Sequence, residues 1–140
     1  HLFDDTSSYL LGIKGSEVGK IIHGKSQDIK SIDVEQDVML INSSGEDPFI
    51  EMQRFYSLAG KDSVSIKIDI QSPEDNDIMQ IFYQTADEPF FSESKSVSFT
   101  MNRGHNIIYG TIDDTALNGV LRIDPGRNKG TYRLDSLIIR

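Results

Sequence analysis

The stretch Val64–Gln84, VSIKIDIQSPEDNDIMQIFYQ, decides the fold. Its first arm alternates strictly: Val64, Ile66, Ile68 and Ile70 share one face, and Ser65, Lys67 and Asp69 the other. Its second arm does the same, with Met79, Ile81 and Tyr83 against Gln80, Phe82 and Gln84. Period-two alternation is the signature of half-buried strands. Between the arms, QSPEDND supplies the Pro, Asn and acidic residues that turns demand.

The pattern spreads outward from there. SVSFTM turns Val97, Phe99 and Met101 inward, and GVLRIDP turns Leu121 and Ile123 inward with Arg122 and Asp124 opposite. IKSIDVEQDVMLI holds one or two earlier strands, Phe49–Met52 another, and YRLDSLIIR the last. MNRGHN, DPGRNKG and NSSGEDP read as turns. The opening HLFDDTSSYLLGIKG is compatible with a short helix, a strand or a frayed end. Eight or nine short strands at spacings of about ten residues predict an antiparallel β-sandwich of the jelly-roll kind. The chain of 140 residues is the size of a single domain, 1–140, with no internal linker or repeat. It opens on His1 rather than Met and closes inside a strand, which suggests a piece of a longer multidomain protein.

Composition removes several functions. The net charge of −8 and the absence of a basic stripe argue against nucleic acid and anionic membranes as partners. No window approaches the roughly 20 apolar residues of a membrane-spanning helix. With no cysteine there is no disulfide, thiolate nucleophile or cysteine zinc site. G-x-S-x-G, the Walker loop and H-E-x-x-H are all missing. GIKGSEVG is followed by a strand-like KIIHG rather than a helix, an unsuitable context for a phosphate cradle. His1, His23 and His105 share no metal-ligand spacing, and His105 sits in a Gly/Asn turn. No cofactor is expected. Structural calcium is the one cation to consider, with Asp4, Asp5, Asp113, Asp114 and Asp135 as conceivable ligands but no EF-hand spacing among them.

Three motifs in order resemble a known group. SSGEDPFIEM gives a G-x-D-P entry to a strand. VSIKIDI through NIIYGTI follows, with an acidic-aromatic loop FFSES, and LRIDPGRNKGTYRLDSLII closes the chain. From about Ser43 to the end, this order is similar to the galactose-binding-like, carbohydrate-binding-module-like β-sandwiches appended to bacterial glycosyltransferases, methyltransferases and other proteins of O-antigen and capsule synthesis. The resemblance implies a jelly roll with no catalytic residues of its own. It implies an oligosaccharide or polysaccharide partner, and a place beside the catalytic domain of a parent enzyme that builds a surface polysaccharide. Such a parent would be cytoplasmic, often at the inner membrane face; a secreted or cell-surface parent fits the fold equally. The chain departs from typical sugar binders in having no Trp, the favoured platform for a pyranose ring.

The face opposite Leu121 and Ile123 is where binding is expected. Arg122 and Asp124 would share it with Lys67, Asp69, Gln80, Phe82 and Gln84. There a guanidinium fork and a carboxylate can bond vicinal hydroxyls while Phe82 stacks. The alternative is structural, with Arg122 pairing to Asp69 or Asp124. Phe90 and Phe91 in the loop DEPFFSES, and Tyr109, are the other aromatic candidates. The competing function is an interaction domain that packs on its parent or dimerises, with no sugar site.

Overall fold

The computed structural model describes residues 3, 9–20 and 22–140. Among the described residues, eleven strands and two short helical segments follow in this order: β1 (Leu11–Lys14), helix α1 (Gly15–Lys20), β2 (Ile22–Gln27), β3 (Ile29–Glu35), β4 (Val38–Ser43), β5 (Phe49–Met52), a 3-10 turn (Tyr56–Leu58), β6 (Ser63–Ser72), β7 (Asp77–Thr85), β8 (Ser96–Met101), β9 (Gly104–Asp113), β10 (Leu117–Asp124) and β11 (Gly130–Ile139). They form two antiparallel sheets. The first runs β3-β4-β11-β6-β9, with β1 added beside the C-terminal half of β11; the second runs β2-β5-β10-β7-β8. The fold is therefore the expected antiparallel β-sandwich.

The core lies between the sheets and is built from the alternating positions. Ile66, Ile68 and Ile70 of β6 are fully buried, as are Met79 and Ile81 of β7 and Met101 of β8, with Tyr83, Leu121 and Ile123 nearly so. Each large apolar side chain so placed stabilises the fold by about 1.5–3 kcal/mol. On β11 the inward set changes parity, from Tyr132 and Leu134 to Leu137 and Ile139. Strict alternation forbids that. The register shift between Leu134 and Ser136 in the β11–β6 ladder supplies the extra residue.

The chain between β1 and β2 differs from expectation. Gly15–Lys20 is one short helix with Glu17 in its first turn, Lys20 in its last and Val18 buried on the core. In a segment this short the period of helix and strand is hard to tell apart. The reading of residues 1, 2 and 4–8 lies outside the described residues.

One buried carboxylate organises the end of the sandwich nearest the turn after β10. Asp77, at the start of β7, accepts hydrogen bonds from the Tyr132 hydroxyl, the Arg127 N–H (2.7 Å) and the Ile78 N–H (2.8 Å). The turn 125–128 is thereby fixed to two strands from opposite sheets. Gly126 passes so close to the Tyr132 hydroxyl that a Cβ would lie 2.1 Å from it, which leaves room only for glycine. At the opposite end of the same strands, Tyr83 donates to Asp114 (2.9 Å), and Asp114 also takes Lys95 Nζ at 2.8 Å. The ammonium of Lys95 holds the Asp114 carboxyl below its ordinary range, and Asp114 in turn raises Lys95.

Burial, and hydrogen bonding to a carboxylate, push the Tyr83 phenol from 10.0 up to about 12 and move Tyr132 in the same direction. The unfolded chain loses these protons first. Stability is thus intact below about pH 10 and falls as pH rises toward the folded values. In an alkaline titration followed by ultraviolet absorbance, Tyr83 and Tyr132 should ionise only together with loss of the β-sheet circular dichroism. Ionisation of all five tyrosines with the sheet signal intact would contradict this packing.

Candidate functional site

The outer face of the second sheet carries the polar side chains of β5, β10 and β7. Arg122 lies opposite Glu51 on one side and Phe82 on the other, and Asp124 lies opposite Gln80. The Arg122 guanidinium sits between two rings, 4.0 Å from the Phe49 centroid and 4.2 Å from that of Phe82. Its Nε and Nη2 each donate to Asp124, both at 2.8 Å. Asp124 is two residues along the same strand, so period-two geometry brings the pair onto one face. A bidentate clamp and two cation–π contacts fix a side chain that would otherwise have several free torsions.

The electrostatics follow from this packing. Asp124 raises Arg122 above its already high value. Burial pushes the Asp124 carboxyl up, against the pull of Arg122, and Asp47 and Glu93 add to the rise. The guanidinium's remaining nitrogen, Nη1, takes no part in the clamp. No buried side-chain nitrogen or oxygen lacks a partner among the described residues, so Nη1 is not fully buried.

Two cavities lie on this face. The smaller, about 290 Å³, is lined by Asp47, Gln80, Phe82, Glu93, Arg122 and Asp124, with Gly126 and Arg127 at its wall. Gln80 Nε2 donates to Glu93 (2.7 Å) and to Ser96 Oγ (2.9 Å), which ties the loop after β7 to the sheet. The larger, about 480 Å³, is lined by Glu51, Gln84, Val120, Tyr56 and Phe91 among others. From the row of Gln80 to the row of Gln84 is four residues along β7, about 13 Å. The cavities are neighbours along the strands, separated by the row of Glu51, Arg122 and Phe82.

The expected residues fall in three places. Gln80, Phe82, Arg122 and Asp124 come together as predicted, and Phe91 joins them from the β7–β8 loop. Phe90, its neighbour, points into solvent. Lys67, Asp69 and Tyr109 do not join them. They belong to β6 and β9 of the first sheet, on the far side of the sandwich. There Lys67 lies over the Tyr109 ring at 5.9 Å and Asp69 meets His105. Arg122 pairs with Asp124 and not with Asp69. Phe82 is only 6% exposed, its ring lying under the guanidinium, so it is not an open stacking platform.

Several residues of the site went unnoticed in the sequence. Phe49 could have been found, because the strand Phe49–Met52 alternates and places Phe49 on the face of Glu51. Tyr56, 79% exposed beside the larger cavity, sits in a 3-10 turn with no periodic signal. Asp47 and Glu93 come from loops. Among the described residues no group of three or more His, Asp or Glu is placed to hold a metal. Of the conceivable calcium ligands, Asp114 is engaged by Lys95 and Tyr83, Asp135 by Arg133 (3.3 Å), and Asp4 and Asp5 lie outside the described residues.

No protein-family model matches the chain, and no curated protein matches it. Solved structures do. The C-terminal family 6 carbohydrate-binding module of the laminarinase LamC from Zobellia galactanivorans superposes with a TM-score of 0.62 at 8% identity, covering 92% of this chain and 97% of that one. A module of Cellvibrio mixtus lichenase 5A, solved with cellotriose, gives 0.59 at 10% identity, covering 94% and 97%. A family 29 module variant solved with cellohexaose gives 0.60 at 13% identity, covering 95% and 89%. The fold is thus that of carbohydrate-binding modules. No helix among the described residues is long and apolar enough to cross a membrane.

Removing Arg122 leaves the largely buried Asp124 carboxylate without its clamp. Arg122→Ala should lower the unfolding free energy by about 2–3 kcal/mol. In a double-mutant cycle with Asp124→Asn, the two losses should sum to more than the double variant loses, as denaturant titration would read. Additive losses would mean the pair is not coupled.

Proposed function

We propose that this domain is a non-catalytic carbohydrate-binding module whose ligand is an oligosaccharide laid across the outer face of β5, β10 and β7. The observation that carries the reading is the Arg122 guanidinium, immobilised between Phe49 and Phe82 in the lining of a cavity. A donor already held in place loses little rotamer freedom on binding, and a planar guanidinium suits sugar hydroxyls. Gln80, Gln84 and Glu51 offer further donors and acceptors along the same face. Tyr56 and Phe91, beside the larger cavity, supply the apolar ring faces on which a pyranose stacks in the absence of Trp.

The carboxylates of the smaller cavity support a binding role over a hydrolytic one. Asp124 is clamped by Arg122, Glu93 accepts from Gln80, and Asp47 accepts from Gln27 Nε2 at 2.8 Å. Hydrolysis needs one carboxyl group held ready as an acid across a cleft from another. We further assign the module to an enzyme that assembles a bacterial surface polysaccharide, with its parent at the cytoplasmic face of the inner membrane. The support for this assignment is the order of motifs from Ser43 to the C-terminus. A parent outside the cell would use the same face in the same way.

Affinity for a single chain should be modest, with Kd on the order of 0.1–1 mM, because few contacts offset the loss of freedom. Tethering to an enzyme then raises the local concentration of its substrate. Calorimetric titration with neutral and bacterial surface oligosaccharides tests the reading. Tyr56→Ala and Phe91→Ala should each weaken binding about tenfold while leaving the melting temperature unchanged. Binding that survives both substitutions, or none by any oligosaccharide at millimolar concentration, would overturn it.

A further inference from the structure

The arginines of this chain fall into two groups. Arg103 pairs with Glu74 (3.2 Å), Arg122 with Asp124 (2.8 Å) and Arg133 with Asp135 (3.3 Å). Arg54 and Arg127 are exposed, and neither meets a carboxylate among the described residues. Acidic side chains outnumber Lys and Arg by 22 to 14, so these two guanidiniums are not alone for want of acids. Both border the outer face of the second sheet. Arg127 lines the smaller cavity and Arg54 the larger.

The carboxylates that line the same cavities are in the opposite condition. Asp124 is clamped by Arg122, Glu93 accepts from Gln80, Asp47 accepts from Gln27, and Glu51 accepts from the Lys25 N–H (3.0 Å). Each acid holds a donor of the protein's own, while the two cations hold none. Exposed charges farther away than about 8 Å are largely screened at physiological salt. A ligand on this face therefore meets cations and anions in near balance rather than the net charge of −8.

Both arginines rise from fixed backbone. The Arg127 N–H is bonded to Asp77 (2.7 Å), in the turn where Gly126 packs on Tyr132. Beside Arg54, the Phe55 N–H is bonded to the Gly119 carbonyl of β10 (2.8 Å). The Arg54 stem lies against the same glycine, where an added Cβ would meet its Cγ at 3.2 Å. A planar guanidinium pairs best with a planar two-oxygen anion, and on a saccharide that group is the carboxylate of a uronic acid. We infer that this face selects acidic oligosaccharides, Arg127 and Arg54 pairing with uronate carboxylates while Arg122, its charge already met by Asp124, serves the hydroxyls. The inference rests on the carbohydrate-binding reading and narrows its ligand.

Paired probes test it. Oligogalacturonate, oligomannuronate and hyaluronan fragments are each titrated at low salt beside the same chain with its carboxyl groups chemically reduced, and binding is followed by amide NMR. Reduction removes the charge and leaves the linkages intact. At least one acidic chain should bind about fivefold or more tightly than its reduced form, and the advantage should shrink as salt is raised. Arg127→Gln and Arg54→Gln together should bring the acidic chain to the affinity of its reduced form. Arg127→Lys, which keeps the charge without the fork, should retain part of the advantage that Arg127→Gln loses. Asp77 is met by the backbone of residue 127, so the variants at this position should keep the melting temperature. Equal affinity for acidic and reduced chains leaves the domain a sugar binder and overturns the inference. An acid preference that survives the double substitution overturns it too. Binding by no chain, acidic or reduced, overturns the carbohydrate reading and the inference with it.

Discussion

A guanidinium held between two phenyl rings and clamped by a carboxylate on its own strand sets the character of this molecule. The sandwich must cover two outer sheet faces with side chains that tolerate water. At the centre of the second sheet it uses Arg122 to do so, with Phe49 and Phe82 beneath its two faces and Asp124 along its edge. Without it, two aromatic rings on the strands flanking β10 would be bare and a largely buried carboxylate unpaired. With it, the face becomes rigid and polar at once. The neighbouring elements are arranged around this row. The turn after β10 is pinned by Asp77, the β7–β8 loop is tied by Gln80 to Glu93, and the 3-10 turn brings Tyr56 to the rim.

The sandwich was legible because its information is local. Val64–Ile70 and Met79–Tyr83 alternate without a break, and each alternation says which side chains are inward. What alternation does not say is which of two sheets a strand joins. Lys67 and Asp69 point outward as expected, and so does Arg122, but from opposite sides of the sandwich. That difference is set by non-local pairing, β6 with β11 and β9, β7 with β10 and β8, to which no short stretch of sequence refers. The same limit explains Tyr109, which follows β9 to the far side.

The site was legible in its strands and obscure in its loops. Gln80, Phe82, Arg122 and Asp124 follow from period two, and Phe49 was available from the same rule. Tyr56, Asp47 and Glu93 depend on how turns bring chain segments back over the sheet. The role of Phe82 also needed coordinates. A phenylalanine on an outer face reads as an open platform, yet here its ring serves as a seat for Arg122, and the free aromatic surface belongs to Tyr56 and Phe91.

The central claim is that the face around Arg122 is a ligand surface. Amide shifts of the labelled domain, recorded by NMR during titration with oligosaccharides, test it most directly. The account predicts saturable shifts confined to β5, β7, β10 and the two loops bearing Tyr56 and Phe91, with the side-chain Nε–H of Arg122 among them. Shifts centred on Lys67, Asp69 and Tyr109 of the opposite sheet, with the Arg122 signals unmoved, would contradict it.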